Sequence, residues 1–456
     1  MRKVWNRQAA PLLLLGLVLV LTLLGSRREA LINNNGTSIM SSLSISSTKS
    51  LKAHSVNRQD YYSFPKWDSP QGITIDDFLA FSLAAARKFA STVNSTKTRQ
   101  RFPEILYVMD HEGIWVSFQI RLRTWKVMIQ PRVYPTEWLM REGWRLMYKE
   151  HKALGRRSAR SKWPRVSKAL YEGDGVPFLV WYGDYKSCNY QNWGNRSIPL
   201  FTPAVPLDCA HGFPMPNYKS FVTSKESSND WEPVMQQYRA TYPWENKIYK
   251  AVWRGSLSDD NEGLQSVRWR LCKLATESNA TTLDVGLVAI PSRHDHLDLD
   301  WQSVGGKASA IPQEDFQNYR AVIDVDGNSW SSRMGELLCY NSVLLKVEPQ
   351  FVEYFYKDLE PWEHYIPVKY DLSDLLEKVD FVLDATNEEN VQRIVAGANE
   401  WCATHLVKRE LGKDFLDVLE AYVSHLERGN SQWNTRWSQY KQSIFTHEAF
   451  DMRRIQ

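Results

Sequence analysis

The chain has 456 residues, 43% of them hydrophobic and 12% aromatic, which is enough apolar material for two domains with sizeable cores. Lys and Arg number 56 against 52 Asp and Glu, and the resulting formal charge of +4 leaves no footprint of a nucleic-acid or polyanion binder. Nineteen tryptophans suit the stacking of sugars as well as the filling of a core.

In chain order, the first element is the apolar run Ala9–Leu24, in which Thr22 is the sole polar side chain, with Arg2, Lys3 and Arg7 before it and Arg27 and Arg28 after it. This pattern predicts a cytosolic tail at 1–8, a transmembrane signal anchor at 9–25 and a luminal body. A cleaved signal peptide is the rival, but Leu23 and Leu24 spoil a small-x-small cleavage site near Gly25 and Ser26. Residues 26–60, rich in Ser, Asn and Thr, read as a flexible stem. Sequons at Asn35, Asn94, Asn195 and Asn279 permit luminal glycosylation, although about three such motifs arise by chance. The chain ends at Ile455-Gln456 with no KDEL-like signal, so the expected compartment is the Golgi membrane rather than the endoplasmic reticulum. Five cysteines leave at least one thiol unpaired. Cys188 and Cys209 can bridge across a loop, connectivity is otherwise open, and no zinc spacing is present.

The folded body starts near Tyr61. Thr74 to Asp77 caps a helix running to about Ala90, and Ile105–Met109 with Ile114–Ile120 around Asp110-His-Glu-Gly113 predicts a hairpin. Thr136 opens an amphipathic helix to about His151. The basic run Lys149–Lys168 reads as a solvated helix and loop, with an acidic acceptor or lipid headgroups as the alternative. Val176–Tyr182 is a buried strand leading into Gly183-Asp184. A Pro-rich irregular stretch, 198–217, and a helix near Glu232–Tyr242 complete a first lobe at 61–245. A second α/β block at 246–405 begins with a strand from Ile248 to Trp253 that delivers Arg254-Gly255-Ser256. It continues through a helix at about 262–277 and strands at Leu283–Ile290, Ala321–Val325 and Ser342–Val347. Helices at about 388–406 and 413–427 close the chain, with 406–456 set apart as C-terminal helices and tail.

Between the strands at 321–325 and 342–347, a turn at Asp326-Gly327-Asn328 leads to a helix start bearing Ser331, Ser332 and Arg333. In such α/β units ligands lie beyond the strand ends and helix N-termini receive phosphate, and Arg333 adds a guanidinium matched to a diphosphate. An ordinary capped helix with a surface arginine is the competing reading.

Four motifs sharpen this: Asp326-Gly-x-x-x-Ser-x-Arg333, Leu338-x-x-x-Ser-Val-Leu-Leu-Lys346, the run from Phe355-Tyr through Pro361-Trp-x-His-Tyr-Ile-Pro-Val-Lys369, and Trp253-Arg-Gly-Ser256. Together they resemble glycosyltransferase family 90, the family of protein O-glucosyltransferases and capsule-associated xylosyltransferases, over about residues 170–428. The first 160 residues match weakly. The resemblance implies a GT-B-like fold of two Rossmann-like lobes with an inter-lobe cleft. It also implies inverting transfer of glucose or xylose from UDP-glucose or UDP-xylose to a hydroxyl of a protein or glycan. UDP-sugar is then a co-substrate, and no cofactor or metal is required, since arginine and backbone N–H groups can neutralise the leaving diphosphate.

By the same resemblance Asp184 is the catalytic base. Arg254, Gly255, Ser256, Ser331, Ser332 and Arg333 form the donor site. The residue before the aspartate, Gly183, departs from the family's usual pattern, and the pairing partner expected for Cys339 is not evident. Arg268 and Arg270 are read as solvated helix charges or as helpers of the donor site. His364 and Tyr365 are read as part of a turn that packs Trp362 against the sheet, or as donor contacts. Asp324-Val-Asp326 and Asp298-Leu-Asp300 spell the DxD metal motif of the other major transferase architecture, and His294 and His296 with the nearby aspartates could suit a metal hydrolase. Both are read as minor alternatives beside the leading transferase. A luminal sugar- or peptide-binding protein of the same fold without turnover is the other.

Overall fold

A computed structural model of the chain describes residues 104–118, 125–155, 160–181, 200–207, 212–216, 231–258, 265–291, 299–446 and 451–454. The anchor at 9–25, the stem at 26–60, the helix at 74–90, Cys188, Cys209 and the sequons at Asn35, Asn94 and Asn195 lie outside them. Among the described residues no helix is long and apolar enough to cross a membrane.

The structure is mixed α/β with two main sheets. In the first, β1 (Glu104–Asp110) and β2 (Gly113–Phe118) form the expected hairpin, with Tyr107 opposite Val116. Its turn is organised by Asp110, whose carboxylate accepts hydrogen bonds from the Glu112 and Gly113 N–H groups and from Trp115 Nε1 at 2.9, 3.2 and 3.0 Å. β3 (Val176–Trp181) pairs antiparallel with β1, and its Val176, Phe178, Leu179 and Val180 are all buried, as an unbroken apolar run demands of an interior strand. The Pro-rich stretch read as irregular holds three short strands, β4 (Leu200–Thr202), β5 (Ala204–Pro206) and β6 (Gly212–Pro214). β4 and β6 continue the first sheet in parallel beyond β3. Three-residue strands carry too little periodicity to stand out in a sequence, and their prolines argue against pairing.

The helix expected from Thr136 begins at Trp125 and runs to Leu154 (α1), passing through Pro131 and Pro135, which by local rules alone would end or kink it. α2 (Pro164–Tyr171) follows, then α3 (Glu232–Thr241).

The second sheet is all parallel: β7 (Ile248–Ser256), β8 (Leu283–Ala289), β9 (Tyr319–Asp324), β10 (Val343–Val347) and β12 (Ile366–Val368). The order across it is β12-β10-β9-β7-β8. In chain order this is 2-1-3-4-5, a doubly wound arrangement whose direction of winding reverses between β7 and β9. α4 (Val267–Glu277) connects β7 to β8, a one-turn helix α5 (Met334–Leu337) lies between β9 and β10, and α6 (Leu375–Leu383) follows β12.

Alternation along these strands assigns their two faces to different cores. Ala251, Trp253, Ala321, Ile323, Val343 and Leu345 pack in a cluster with α4 and α6. Val252, Val322 and Leu344 belong to the cluster that also contains the first sheet and the C-terminal helices. One hydrophobic core therefore runs from the first sheet to the near face of the second. β11 (Phe351–Glu353) reinforces the join by pairing antiparallel with β5.

After α7 (Glu388–His405), the chain returns to the first sheet through α8 (Lys408–Gly429), α9 (Trp433–Thr446) and β13 (Asp451–Arg454). β13 pairs with the edge strand β2, Tyr422 donates to the Pro177 carbonyl at 2.8 Å, and Lys441 pairs with Asp110 at 3.1 Å. Cys339, whose partner was not evident from sequence, is disulfide-bonded to Cys402 of α7. Cys272 is a free, buried thiol.

Candidate active site

The strand order directs attention to the carboxyl ends of β7 and β9, where an open α/β sheet leaves a crevice because the chain departs to opposite faces. Trp253-Arg-Gly-Ser256 ends β7 and Asp324-Val-Asp-Gly327 ends β9. The structure brings these two motifs together through two arginines.

Arg268, on α4, is buried. Its Nε donates to the Asp326 carbonyl at 2.8 Å, Nη1 to the Ser256 carbonyl at 2.8 Å and to Ser258 Oγ at 2.6 Å, and Nη2 to the Val325 carbonyl at 3.1 Å. Its guanidinium lies 5.6 Å from the Trp253 ring centre. It is neither a solvated helix charge nor a group held open for a ligand. It clamps the two strand ends. Gly327 makes room for the clamp, since a Cβ there would stand 3.0 Å from Arg268 Nη2, and Gly255 makes room for the Trp253 indole, which would lie 2.5 Å from an added Cβ. The sequence named Arg268 without finding this role. Charge and position alone do not distinguish a solvated arginine from a clamp.

Arg333 follows from the β9 side. Its Nη1 donates to the Arg254 carbonyl at 2.7 Å, and its guanidinium lies 5.9 Å from the Phe316 ring centre. Burial pulls its pKa down, while Asp324, Tyr340 and Glu336 act in the opposite direction. Among the described residues this one hydrogen bond is its complement, leaving guanidinium donors for a further acceptor. The helix it was expected to enter is a single turn, with Arg333 at its N-cap. A dipole of four residues contributes little, so anion attraction at this place rests on the guanidinium.

Arg254 points elsewhere. Its guanidinium bonds to the Asp284 carboxylate, to the Asp284 carbonyl at 2.7 Å, to its own neighbour's Trp253 carbonyl at 3.1 Å and to the Ser309 carbonyl at 3.2 Å. Burial acts to raise the Asp284 pKa, but the Tyr319 hydroxyl and Arg254 outweigh it and hold the carboxyl below its usual range. The expected donor contact is in this structure an internal ion pair, and the part of Arg254 that meets Arg333 is its backbone oxygen.

Ser331 is buried and donates its hydroxyl hydrogen to Asp324 Oδ1, whereas Ser332 and Ser256 are half-buried. Asp324 and Asp326, the first DxD pair, are both bound by Lys346 of β10, at 2.8 and 2.9 Å. Burial alone would lower the lysine's pKa, and the two carboxylates more than offset this and hold it above its ordinary value. Among the described residues no group of three or more His, Cys, Asp or Glu is arranged to hold a metal ion. Asp300 caps a short turn by accepting from the Gln302 N–H at 3.0 Å.

His364 Nδ1 accepts from the Glu360 N–H at 2.8 Å, within a turn leading into the amino end of β12, opposite the strand ends just described. Trp362 is exposed, with φ of 67°, and meets Phe381 of α6 edge-on rather than the sheet. This segment is a structural turn. Arg270 donates to the Tyr370 carbonyl at 3.2 Å and stacks on the Tyr370 ring. Asp184, His294, His296 and Asp298 lie outside the described residues, and β3 ends three residues before Asp184.

The family model described as Glycosyl transferase family 90 matches residues 179–447. Among curated proteins the chain is 36% identical over 233 residues to protein O-glucosyltransferase 3 of Rattus norvegicus, covering 51% of this chain and 39% of that protein. It is 35% identical over 164 residues to protein O-glucosyltransferase 2 of Danio rerio, covering 36% of this chain and 30% of that one. With protein O-glucosyltransferase 1 of Mus musculus it shares 30% identity over 193 residues, 41% of this chain and 45% of the relative. The chain thus spans less than half the length of each of these relatives.

Proposed function

The chain belongs to glycosyl transferase family 90, and from that premise we propose that it moves glucose or xylose from a UDP-sugar to a hydroxyl of a protein or glycan, with inversion. The names of the relatives favour glucose and a protein acceptor. The observation that carries the reading is Arg333, a half-enclosed guanidinium at the reversal point of a doubly wound sheet, tied to the β7 end through the Arg254 carbonyl with donors to spare.

In this reading the donor diphosphate lies against Arg333, with the hydroxyls of Ser332 and Ser256 and the backbone at Gly255 as further contacts. Arg254 and Ser331 act from behind, holding the strand ends in place. Asp184, three residues past the end of β3 in sequence, serves as the base in this reading, in a GT-B-like arrangement of the two halves. The acceptor oxygen bonds to the anomeric carbon as the bond to the diphosphate breaks, and the acceptor proton passes to Asp184. Negative charge grows on the leaving UDP, where a fixed guanidinium stabilises it without a metal. The apolar run at 9–25 supports a luminal, type II membrane setting in the Golgi or endoplasmic reticulum.

Full-length protein offered UDP-glucose, UDP-xylose and UDP-galactose with peptide and glycan acceptors, and read by mass spectrometry, should add one hexose or pentose. Asp184→Asn should lower kcat by about 10²–10⁴-fold, the usual range for a lost general base, with little change in donor KM. Transfer at the wild-type rate by this variant would remove Asp184 from the mechanism.

A further inference from the structure

Lys346 is the one feature of the strand-end cluster that the transfer reaction leaves without a task. It sits in β10 directly across from Asp324 in the parallel register, and its side chain is 1% exposed, against 2% for Asp324 and 8% for Asp326. An ammonium in an apolar strand is unfavourable unless its charge is matched, and here it is matched twice. Nζ lies 2.8 Å from Asp324 Oδ2 and 2.9 Å from Asp326 Oδ1. Each aspartate spends its other oxygen on the chain around it: Asp324 Oδ1 accepts from Ser331 Oγ, and Asp326 Oδ2 accepts from the Gln350 N–H at 2.8 Å. One cation between two carboxylates, whose outer oxygens hold neighbouring loops, is the arrangement in which a divalent ion is bound by an Asp-x-Asp pair.

We propose that Lys346 is a positioning residue that takes the place of a divalent cation between Asp324 and Asp326, and so keeps the 326–333 segment and the field around Arg333 fit for a diphosphate. Two consequences follow from charge. With Lys346 present, Asp324, Asp326, Lys346 and Arg333 sum to zero. Without it they sum to −1 directly behind the donor, and Asp324 competes with the diphosphate for Arg333. A divalent ion admitted to the space left by a truncated lysine would turn that −1 into +1 and again put a cation between the two carboxylates, because the two oxygens that face Nζ are already aimed at one point.

This inference rests on the donor site proposed above, but its primary readout does not. Full-length wild type, Lys346→Ala and Lys346→Ala/Asp324→Asn are titrated with Mn²⁺ and followed by electron paramagnetic resonance and thermal melting. Lys346→Ala should bind one Mn²⁺ that wild type and the double variant do not, and should melt higher with it. Donor KM should rise at least tenfold in Lys346→Ala and fall again at least threefold with Mn²⁺, while wild-type turnover is unchanged by EDTA. If Lys346→Ala is unfolded without metal, Mn²⁺ should restore the fold. A folded Lys346→Ala that takes up no Mn²⁺, a metal uptake that survives Asp324→Asn, or a variant that stays unfolded in Mn²⁺ would each overturn the proposal. Absence of any sugar transfer by wild type would instead strike the proposed function and leave the Mn²⁺ result to be judged by itself.

Discussion

At the residue scale, Arg268 and Lys247 show how much of this protein's architecture is held by buried cations. Arg268 donates to the carbonyls of Ser256, Val325 and Asp326; Ser256 keeps a second donor in the Ser258 N–H at 2.8 Å, so truncation takes this partner chiefly from the buried Val325 and Asp326 carbonyls. Unsatisfied buried acceptors cost about 1–3 kcal/mol each, so with two of them Arg268→Leu should destabilise the protein by about 2 kcal/mol or more in urea unfolding. A loss below about 0.5 kcal/mol would mean that the clamp is ornamental. Lys247, just ahead of β7, is 3% exposed, donates to the Gln317 carbonyl and to Ser342 Oγ, and lies 5.8 Å from the Trp244 ring centre. Burial first, and the Arg320 charge second, push its pKa down to about 7. A lysine in the unfolded chain titrates near 10.4, so between about pH 7 and 10 the unfolded state binds more protons and stability rises with pH. Below pH 7 both states keep the proton and the penalty is constant. From pH 7 to 9 wild type should therefore gain about 2 kcal/mol relative to Lys247→Met, measured by denaturant titration at each pH. A flat difference, or one of opposite sign, would contradict the depressed pKa.

At the scale of elements, the long apolar runs of β3, β9 and β10 were legible because interior strands must be apolar on both faces. The helices near 232, 388 and 413 were legible from their periodicity, though α8 begins five residues before the expected 413, at Lys408. Less could be read where local rules conflict with tertiary context, as in the prolines inside α1 and the three-residue strands between 200 and 214. The candidate site divides in the same way. Its motifs lie together at the ends of β7 and β9, but the direction of Arg254 toward Asp284 depends on β8, far off in sequence. Lys346 stood in a quoted motif without a role. A lysine inside Val-Leu-Leu-Lys-Val, with an Asp-x-Asp in another buried strand, was the available clue. The Cys339–Cys402 disulfide likewise needed the fold, since it links the end of α5 to α7 across 63 positions. Closing a loop of that size contributes about 2–4 kcal/mol, so the urea midpoint should fall when the bond is reduced, and Cys339→Ala/Cys402→Ala should match the reduced protein. Equal midpoints for oxidised and reduced protein would show that the bond adds nothing.

At the scale of the whole molecule, the continuous core and the β5–β11 pair make the two sheets parts of one body, while the 2-1-3-4-5 order puts the reversal point of the second sheet between β7 and β9. Strand order is set by which crossovers pack, and no local motif encodes it. The central claim is that a nucleotide diphosphate binds at this reversal point against Arg333. Calorimetric titration of full-length protein with UDP tests it most directly, using Arg333→Ala and, as a remote control at the other end of the sheet, Trp362→Ala. UDP should bind wild type and Trp362→Ala within twofold of each other and should bind Arg333→Ala at least about tenfold more weakly, the loss expected for one charge-assisted contact. Equal affinity of wild type and a folded Arg333→Ala would contradict the claim.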